Sequence, residues 1–339
     1  MSHLCSIHFE RRERFMDQKL FQVVKDDNIP PKIMEMLERL DIDAQRLLAD
    51  HYDENSSYYR RVQPENIAHT FGVDPVKYPL LYHYTDLNAL KAIVQSRSFL
   101  IGRYTNMNDK NEKKYAYNLF KNVLHESGAT SDELNVFNND IDTPTFDYYI
   151  MSLTHNKNSQ ALSKYGDIAI QFKTQDIQDH LAAKITPSYF YKKLNPGDGL
   201  VYPLRVLYNH KEQLNYINTI MHAWLIAFRN RERDLPDMLQ IRSEVLKALA
   251  LYSQCFKNPI LYQEEEIRFV VVKVITQDNT VMPDLYFHGK PKIVLPIEPN
   301  MIDTIIVSHN LENQINDISQ MLRSFGFNNT QVKLTDLPY

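Results

Sequence analysis

Residues 262–272 read YQEEEIRFVVV, so three carboxylates and an arginine stand at the entrance of an apolar run. The run is rich in β-branched residues and far too short to cross a membrane, which predicts a strand that continues into a core. Side chains alternate along a strand, and we expect Glu264, Glu266 and Arg268 to share one face, opposite the apolar side chains. That polar face has two explanations: an ion pair between Arg268 and Glu266, or a catalytic carboxylate with an arginine beside it.

Further strands are predicted on both sides of this stretch. Short β-prone runs occur at 80–84, 146–155, 167–172, 200–209, 266–276, 292–297 and 302–308. Helical periodicity is found through 1–75, at 86–99, late in 101–126, across 211–256 and at 311–327. Residues 126–145 are polar and are predicted to form a loop. These elements predict an α+β fold, with a helical N-terminal segment at 1–75 and an α+β domain at 76–339.

The composition is that of a folded protein without a bias toward polyanions. Hydrophobic residues make up 43% and charged residues 24%, and 38 basic against 42 acidic side chains give a net charge of −4. No overall attraction to nucleic acid or to an anionic membrane follows from that balance. The two cysteines, Cys5 and Cys255, rule out a disulfide framework and a four-cysteine zinc site. With no apolar run of transmembrane length, we expect a cytoplasmic protein that has no membrane partner.

The shortage of glycine excludes several classes of nucleotide-binding enzyme. The chain has 8 glycines, and it contains neither G-x-G-x-x-G nor G-x-x-x-x-G-K-[ST]. Loops that cradle phosphates need glycine to bring backbone N–H groups close to the ligand. A Rossmann dehydrogenase, a P-loop NTPase and a protein kinase are therefore poor candidates.

Three other stretches carry polar side chains that could line a cleft. His83 lies in LYHYTD, where a predicted strand gives way to a helix, and Ser152 and Thr154 share a face of the strand at 146–155. Asn108 and Asp109 belong to the polar stretch NMNDKNE. The stretches of His83 and of Asn108 and Asp109 also have ordinary structural explanations, because a histidine can be hydrogen-bonded in a core, and Asn and Asp favour turns and helix caps.

Taken in order, these stretches resemble the motifs of the bacterial DUF2971 family. The resemblance covers residues 78–275 and rests on LYHYTD…LKAIVQSRSFLIGRYTNMND, MSLTHNKNSQALSKYGDIAIQF and FKNPILYQEEEIRFVV. Family members have an aromatic-rich entrance strand, an F/M-N-D loop, a serine strand followed by a W/S-x-Y-G/A segment, and an E-x-E-x-R strand. The family's own activity is poorly established.

The layout is also similar to the wider ADP-ribosyltransferase fold, whose members bind NAD in the cleft of a split mixed sheet. That likeness implies a split mixed sheet here, with peripheral helices, and NAD as a substrate. Its members place an Arg or His on the first strand, a Ser-x-Ser/Thr or Tyr on a middle strand and a glutamate on a late strand. They pair His with Tyr, or Arg with Ser, whereas this chain pairs His83 with Ser152, and Tyr165 could supply the aromatic side chain.

The resemblance implies a role for each matching residue. Glu266 would stabilise the oxocarbenium-like ribose, Glu264 would position or deprotonate the acceptor, and Arg268 would keep Glu266 ionised. His83 would hydrogen-bond the adenosine ribose, and Ser152 would support the glutamate or the nicotinamide. The remaining cofactor-binding candidates are Tyr84, Asn108, Asp109, Thr154 and Tyr165. The implied function is transfer of ADP-ribose to a protein or nucleic-acid acceptor, in bacterial toxin or phage-defence biology.

Two alternative functions stay open. Glu264, Glu266 and Asp109 could hold Mg²⁺ in a metal-dependent nuclease, although Arg268 stands where the PD-(D/E)xK pattern has lysine. The chain could also be a non-catalytic binding module whose Glu and Arg form a structural ion pair. A zinc enzyme is not indicated, because H-E-x-x-H is absent and the 12 histidines are scattered. Cys255 is a further candidate as a catalytic thiol.

Overall fold

The computed structural model of the chain describes residues 16–25, 29–106, 110–142, 146–186, 199–233, 235–274 and 283–337. Over these residues the chain forms helices and an open, mostly antiparallel sheet, as the α+β prediction requires. The strands are β1 Leu80–Thr85, β2 Ser98–Arg103, β3 Phe146–Thr154, β4 Ile168–Lys173, β5 Gly199–Arg205, β6 Glu266–Val274, β7 Leu285–Phe287, β8 Lys290–Pro296, β9 Ile302–Val307 and β10 Gln331–Leu334.

Helices precede, interrupt and follow the strands. They are α1 Gln18–Lys25, α2 Pro31–Glu38, α3 Ile42–Tyr52, α4 Ser57–Val62, α5 Pro64–Phe71, α6 Leu87–Ser96, α7 Lys110–Glu126, α8 Ser131–Asp142, α9 Thr174–Ile185, α10 His210–Arg229, α11 Pro236–Cys255 and α12 Ile315–Ser324. No described helix is both long enough and apolar enough to cross a membrane.

The chain divides into two compact units, one helical and one that contains the sheet together with several helices. The helical unit comprises Met1–Thr70, Ala116–Thr143 and Asn209–Ser253. The sheet unit comprises Phe71–Tyr115, Pro144–Tyr208 and Gln254–Tyr339. The helical unit therefore joins most of the predicted N-terminal segment to two stretches that the sequence assigned to the α+β domain.

One helix of the helical unit corrects the predicted loop at 126–145. Ser131–Asp142 is α8, and its Phe137 is fully buried with its ring edge against Trp224, at a centroid distance of 5.1 Å. Trp224 also stacks on Phe228 at 5.1 Å. The prediction was wrong because the segment is polar on average, while its few apolar side chains are spaced to face one core.

The strand order of the sheet is β10-β9-β4-β1-β3-β2-β8-β7, and β6 pairs with β3 and β5. Of these pairs only β9 with β10 is parallel among the described strands. Strand β6 pairs with β3 over its full length, from Phe146↔Val274 to Thr154↔Glu266. The other edge of β3 is divided, because β2 pairs with it at Ile150 and Tyr149, and β1 pairs with it only at Thr154.

One face of the sheet forms the core of this unit, which we call the core face. It carries Ile267 and Phe269 of β6, and α6, α9 and α12 contribute apolar side chains that pack against it. The opposite face, which we call the polar face, is defined by side chains that pair directly across strands. These are Glu266 and Arg268 of β6, Thr154 and Ser152 of β3, and Tyr82 of β1. Tyr84, two residues after Tyr82 on β1, lies on the same face.

Gly166, which precedes β4, is required by close contact with the backbone after β1. Its φ is +146°, and a Cβ there would lie 2.3 Å from the carbonyl oxygen of Thr85. Replacing Gly166 with alanine is therefore expected to lower the free energy of unfolding by about 2–3 kcal/mol, measured by urea denaturation.

Gly289 supplies the matched control for this substitution. Its φ of +71° is also positive, but nothing lies within 4 Å of the position of a Cβ. Alanine at Gly289 should cost only the backbone strain of about 1 kcal/mol. Equal losses at the two glycines would contradict the steric explanation.

Candidate functional site

The segment between α11 and β6 places a buried lysine against two glutamates. Leu207 fixes the start of this segment, since its N–H donates to the carbonyl oxygen of Cys255 and its carbonyl oxygen accepts from the N–H of Lys257. Asn258 then caps a 3₁₀ turn over Pro259–Glu264 by accepting from the N–H of Ile260.

Glu265 separates that turn from the strand and corrects the predicted alternation. It adopts the left-handed conformation, with φ 45° and ψ 47°, and β6 begins only at Glu266. Glu264 therefore belongs to the turn. The prediction that it shares a strand face with Glu266 and Arg268 was wrong. The two glutamates still converge, because both carboxylates reach the ammonium group of Lys257.

Five charged side chains form a continuous row, which we call the ion-pair chain: Lys164, Glu264, Lys257, Glu266 and Arg268. Lys164 Nζ donates to Glu264 Oε1 at 3.0 Å. Lys257 Nζ donates to Glu264 Oε2 at 2.5 Å and to Glu266 Oε2 at 2.9 Å. Arg268 grips Glu266 with two bonds, from Nε to Oε1 at 3.0 Å and from Nη2 to Oε2 at 2.8 Å. Positive and negative groups thus alternate along the ion-pair chain.

Burial divides the ion-pair chain into a closed part and one open end. The exposed fraction of the side chain is 1% for Arg268, 6% for Glu266, 9% for Lys257 and 4% for Glu264, but 52% for Lys164. A buried charge is tolerated only when it is paired and hydrogen-bonded. Arg268 also donates from Nη1 to the carbonyl oxygen of Gln254 at 2.9 Å.

Glu266 is held in its ionised form. Burial alone would raise its pKa, but the charges of Arg268 and Lys257 outweigh burial. With hydrogen bonds from Arg268 and Ser152, they lower the pKa of Glu266 to about 2. Tyr208 completes the surroundings, since its hydroxyl accepts from the N–H of Glu266 at 3.2 Å, and burial raises the pKa of that phenol.

Ser152 and Thr154 lie beside this chain but contact different groups. Ser152 pairs across the strands with Arg268 and contributes to the lowered pKa of Glu266. Thr154 is fully buried, and its hydroxyl donates to the carbonyl oxygen of Glu265 at 3.2 Å. The carboxylate of Glu265 accepts from Asn156 Nδ2 at 2.6 Å, so Thr154 and Asn156 fix the strained residue.

His83 is not brought together with Glu266. Tyr82 pairs with Thr154 on the polar face, so His83, the next residue of β1, lies on the core face. Its Nδ1–H donates to the carbonyl oxygen of Ser152 at 3.2 Å, and its ring meets that of Phe99 edge-on at 4.7 Å. Phe99 belongs to β2, so His83 occupies the gap at the divided edge of β3. Burial lowers its pKa, opposed by the hydrogen bond to Ser152.

Tyr84 and Tyr165 differ in exposure and partners. The hydroxyl of Tyr84 accepts from the N–H of Ser159 and donates to the carbonyl oxygen of Lys157, both at 2.7 Å, and so fastens the loop after β3. Tyr165 is 52% exposed, with the ammonium group of Lys164 5.0 Å from its ring centroid. Asn108 and Asp109 lie outside the described residues.

A small pocket opens beside Tyr84. It is lined in part by Tyr84, Lys157, Gly166, Asp167 and Ser308, and its volume is about 50 Å³. A cavity of this size holds a few water molecules. None of the five members of the ion-pair chain lines it.

Lys257 and Lys164 were missed by the sequence reasoning. The signal for Lys257 was a lone lysine in the mainly apolar run ALYSQCFKNPIL, where a cation needs a buried carboxylate. Lys164 stands in SKYG and has no comparable signal, because its contact with Glu264 joins residues 100 positions apart.

The described residues offer little support for a metal site or a catalytic thiol. Within them no group of three or more His, Cys, Asp or Glu side chains could hold a metal ion, and Asp109 lies outside them. Cys255 is fully buried, and burial raises the pKa of its thiol to about 12, against the lowering by Arg268 and Arg205. A thiolate nucleophile at Cys255 is therefore disfavoured.

No protein-family model, no curated protein and no solved structure matches the chain. The resemblance to the DUF2971 and ADP-ribosyltransferase families stays a prediction.

Proposed function

We propose that the chain is an ADP-ribosyltransferase-like enzyme that uses NAD as a substrate and transfers ADP-ribose to a protein or nucleic-acid acceptor in the cytoplasm. The observation that carries this proposal is the ionised carboxylate of Glu266, which Arg268, Lys257 and Ser152 hold on β6. It lies on β6, which pairs with the continuous edge of β3, and β3 alone separates it from the divided edge.

The chemistry requires a carboxylate that remains charged. The bond between C1′ of the ribose and the nicotinamide nitrogen breaks, and nicotinamide leaves with the bonding electron pair. The ribose becomes oxocarbenium-like, and the acceptor then forms a bond to C1′ and loses a proton. A fixed anion beside C1′ stabilises the positive charge that develops in the transition state.

The neighbours of Glu266 have distinct roles in this proposal. Arg268 fixes the direction of the carboxylate through its two bonds, and Lys257 links it to Glu264. Ser152 aligns Glu266 from the adjacent strand. The pocket beside Tyr84 is too small for a dinucleotide, so NAD would lie along the polar face next to β3. His83 supports the divided edge from the core face.

Consumption of NAD by the purified protein tests the proposal. The protein is incubated with NAD labelled on the adenine, with and without cell lysate, and nicotinamide release is measured by chromatography. We expect nicotinamide release together with label on macromolecules, which nuclease or protease digestion assigns to protein or nucleic acid. Intact NAD after long incubation in both samples would contradict the proposal.

A non-catalytic binding module is the second candidate, and one observation favours it. The carboxylates of Glu264 and Glu266 each already accept from two cations. A fully paired buried network stabilises and orients a surface without any chemistry. An unchanged cellular effect of the double substitution at Glu264 and Glu266 would support this function.

A further inference from the structure

The open end of the ion-pair chain carries its only unbalanced charge. The two carboxylates, Glu264 and Glu266, are matched by the two buried cations, Lys257 and Arg268. Lys164 adds a third cation, and it is the one member of the ion-pair chain whose side chain is half exposed. The linked groups therefore sum to one positive charge, which is presented at the surface.

A ligand can replace Glu264 as the partner of Lys164. Lys164 lies on the 3₁₀ turn Ser163–Tyr165, and its four-carbon side chain is flexible. Solvent screens this ion pair at its Lys164 end, which weakens it. Glu264 would not be left unpaired by the exchange, because Lys257 still donates to its other oxygen. The hydrogen bond to Glu264 raises the pKa of Lys164, which keeps the ammonium group charged.

We propose that Lys164 binds the diphosphate group of the incoming substrate and releases Glu264 as it does so, an inference that rests on the proposed function. The four buried groups are neutral as a set, so the charge of Lys164 is available to a phosphate. Phosphate oxygens are strong acceptors of charge-assisted hydrogen bonds. The freed Oε1 of Glu264 then accepts a hydrogen bond from the acceptor, close to the C1′ carbon beside Glu266. Lys164 thus couples substrate binding to assembly of the acceptor site.

Binding of two probes, inorganic pyrophosphate and NAD, to the wild type and to Lys164→Met tests this inference. By calorimetric titration, Lys164→Met should weaken both ligands about 10-fold to 100-fold, the range of a hydrogen bond between charged groups. Lys164→Arg should retain binding within about threefold, because it keeps the charge. Its retained binding also shows that the turn folds when residue 164 is changed.

Lys173 provides the matched control. It is a half-exposed lysine of the sheet unit, 43% exposed and paired with Asp303 at 3.3 Å. Lys173→Met should bind both probes as the wild type does.

The possible outcomes separate the inference from the proposed function. Pyrophosphate binding that depends on Lys164, without NAD binding, would leave Lys164 as a diphosphate site and overturn the proposed function. NAD binding that Lys164→Met does not weaken would overturn the inference alone. Binding of neither probe to the wild type would overturn both.

Discussion

Replacing Arg268 with methionine is expected to lower the free energy of unfolding by about 3–5 kcal/mol, because it removes the main partner of a buried carboxylate. Arg268 is 1% exposed, and both of its bonds to Glu266 are inside the protein. Methionine is shorter but keeps an unbranched apolar stem of similar volume, so the loss of stability reports the charge and the hydrogen bonds more than a cavity. Urea denaturation of the two proteins gives the difference.

The double substitution of Glu266 and Arg268 by methionine is the control for this prediction. Apolar replacement of a whole buried ion pair is often neutral or stabilising, whereas removal of one partner leaves an uncompensated charge. The double variant should therefore be more stable than Arg268→Met alone. A double variant less stable than the single one would contradict the assignment of the loss to the unpaired carboxylate.

The loss of folding stability in Arg268→Met should also depend on pH, becoming smaller as the pH falls. The folded pKa of Glu266 is lowered from 4.5 to about 2, so its pairing contributes stability above pH 4.5. That contribution is lost as the pH falls from 4.5 through about 2. The stability difference between wild type and Arg268→Met should shrink over this window, and a difference that grows toward pH 2 would contradict it.

Glu266→Gln is expected to reduce the rate of NAD consumption by about 10²–10³-fold or more, because the amide cannot balance the charge of the oxocarbenium-like ribose. The side chain keeps its size, and its remaining oxygen can still accept from Arg268. NAD affinity should change much less than the rate, since the carboxylate acts on the transition state. Initial rates over a series of NAD concentrations separate the two effects.

Glu265→Gln is the matched control for Glu266→Gln. Glu265 is the adjacent glutamate, and its carboxylate binds Asn156 and faces His155 at 3.8 Å instead of the ion-pair chain. Its substitution should leave the rate within about threefold, as expected of a surface polar contact. Equal rates for wild type and Glu266→Gln would assign Glu266 a purely structural role.

The strand prediction succeeded where a cross-strand partner enforces regular alternation. From Glu266 onward, β6 pairs with β3 at every position, and Arg268 contacts Glu266 on one face as predicted. It failed one residue earlier, because Glu265 is left-handed and no sequence rule favours that conformation for glutamate. Strand β2 was not among the predicted strands, because its pairing with β3 and β8 joins distant segments.

The candidate site was predictable in part for the same reason. Glu266, Arg268 and Ser152 come together because they occupy paired positions on adjacent strands. The face of His83 depends on the register Tyr82↔Thr154, which sequence periodicity cannot supply, since a shift of one residue exchanges the faces. Lys257 and Lys164 reach Glu264 through turns, where no periodic pattern exists.

A crystal structure of the protein with NAD at saturating concentration tests the central claim most directly. The claim predicts density for NAD on the polar face, with the nicotinamide ribose beside Glu266 and Ser152 and the diphosphate at Lys164. NAD bound elsewhere in the molecule, with the ion-pair chain closed as it is here, would contradict it, as would a repeatedly empty polar face.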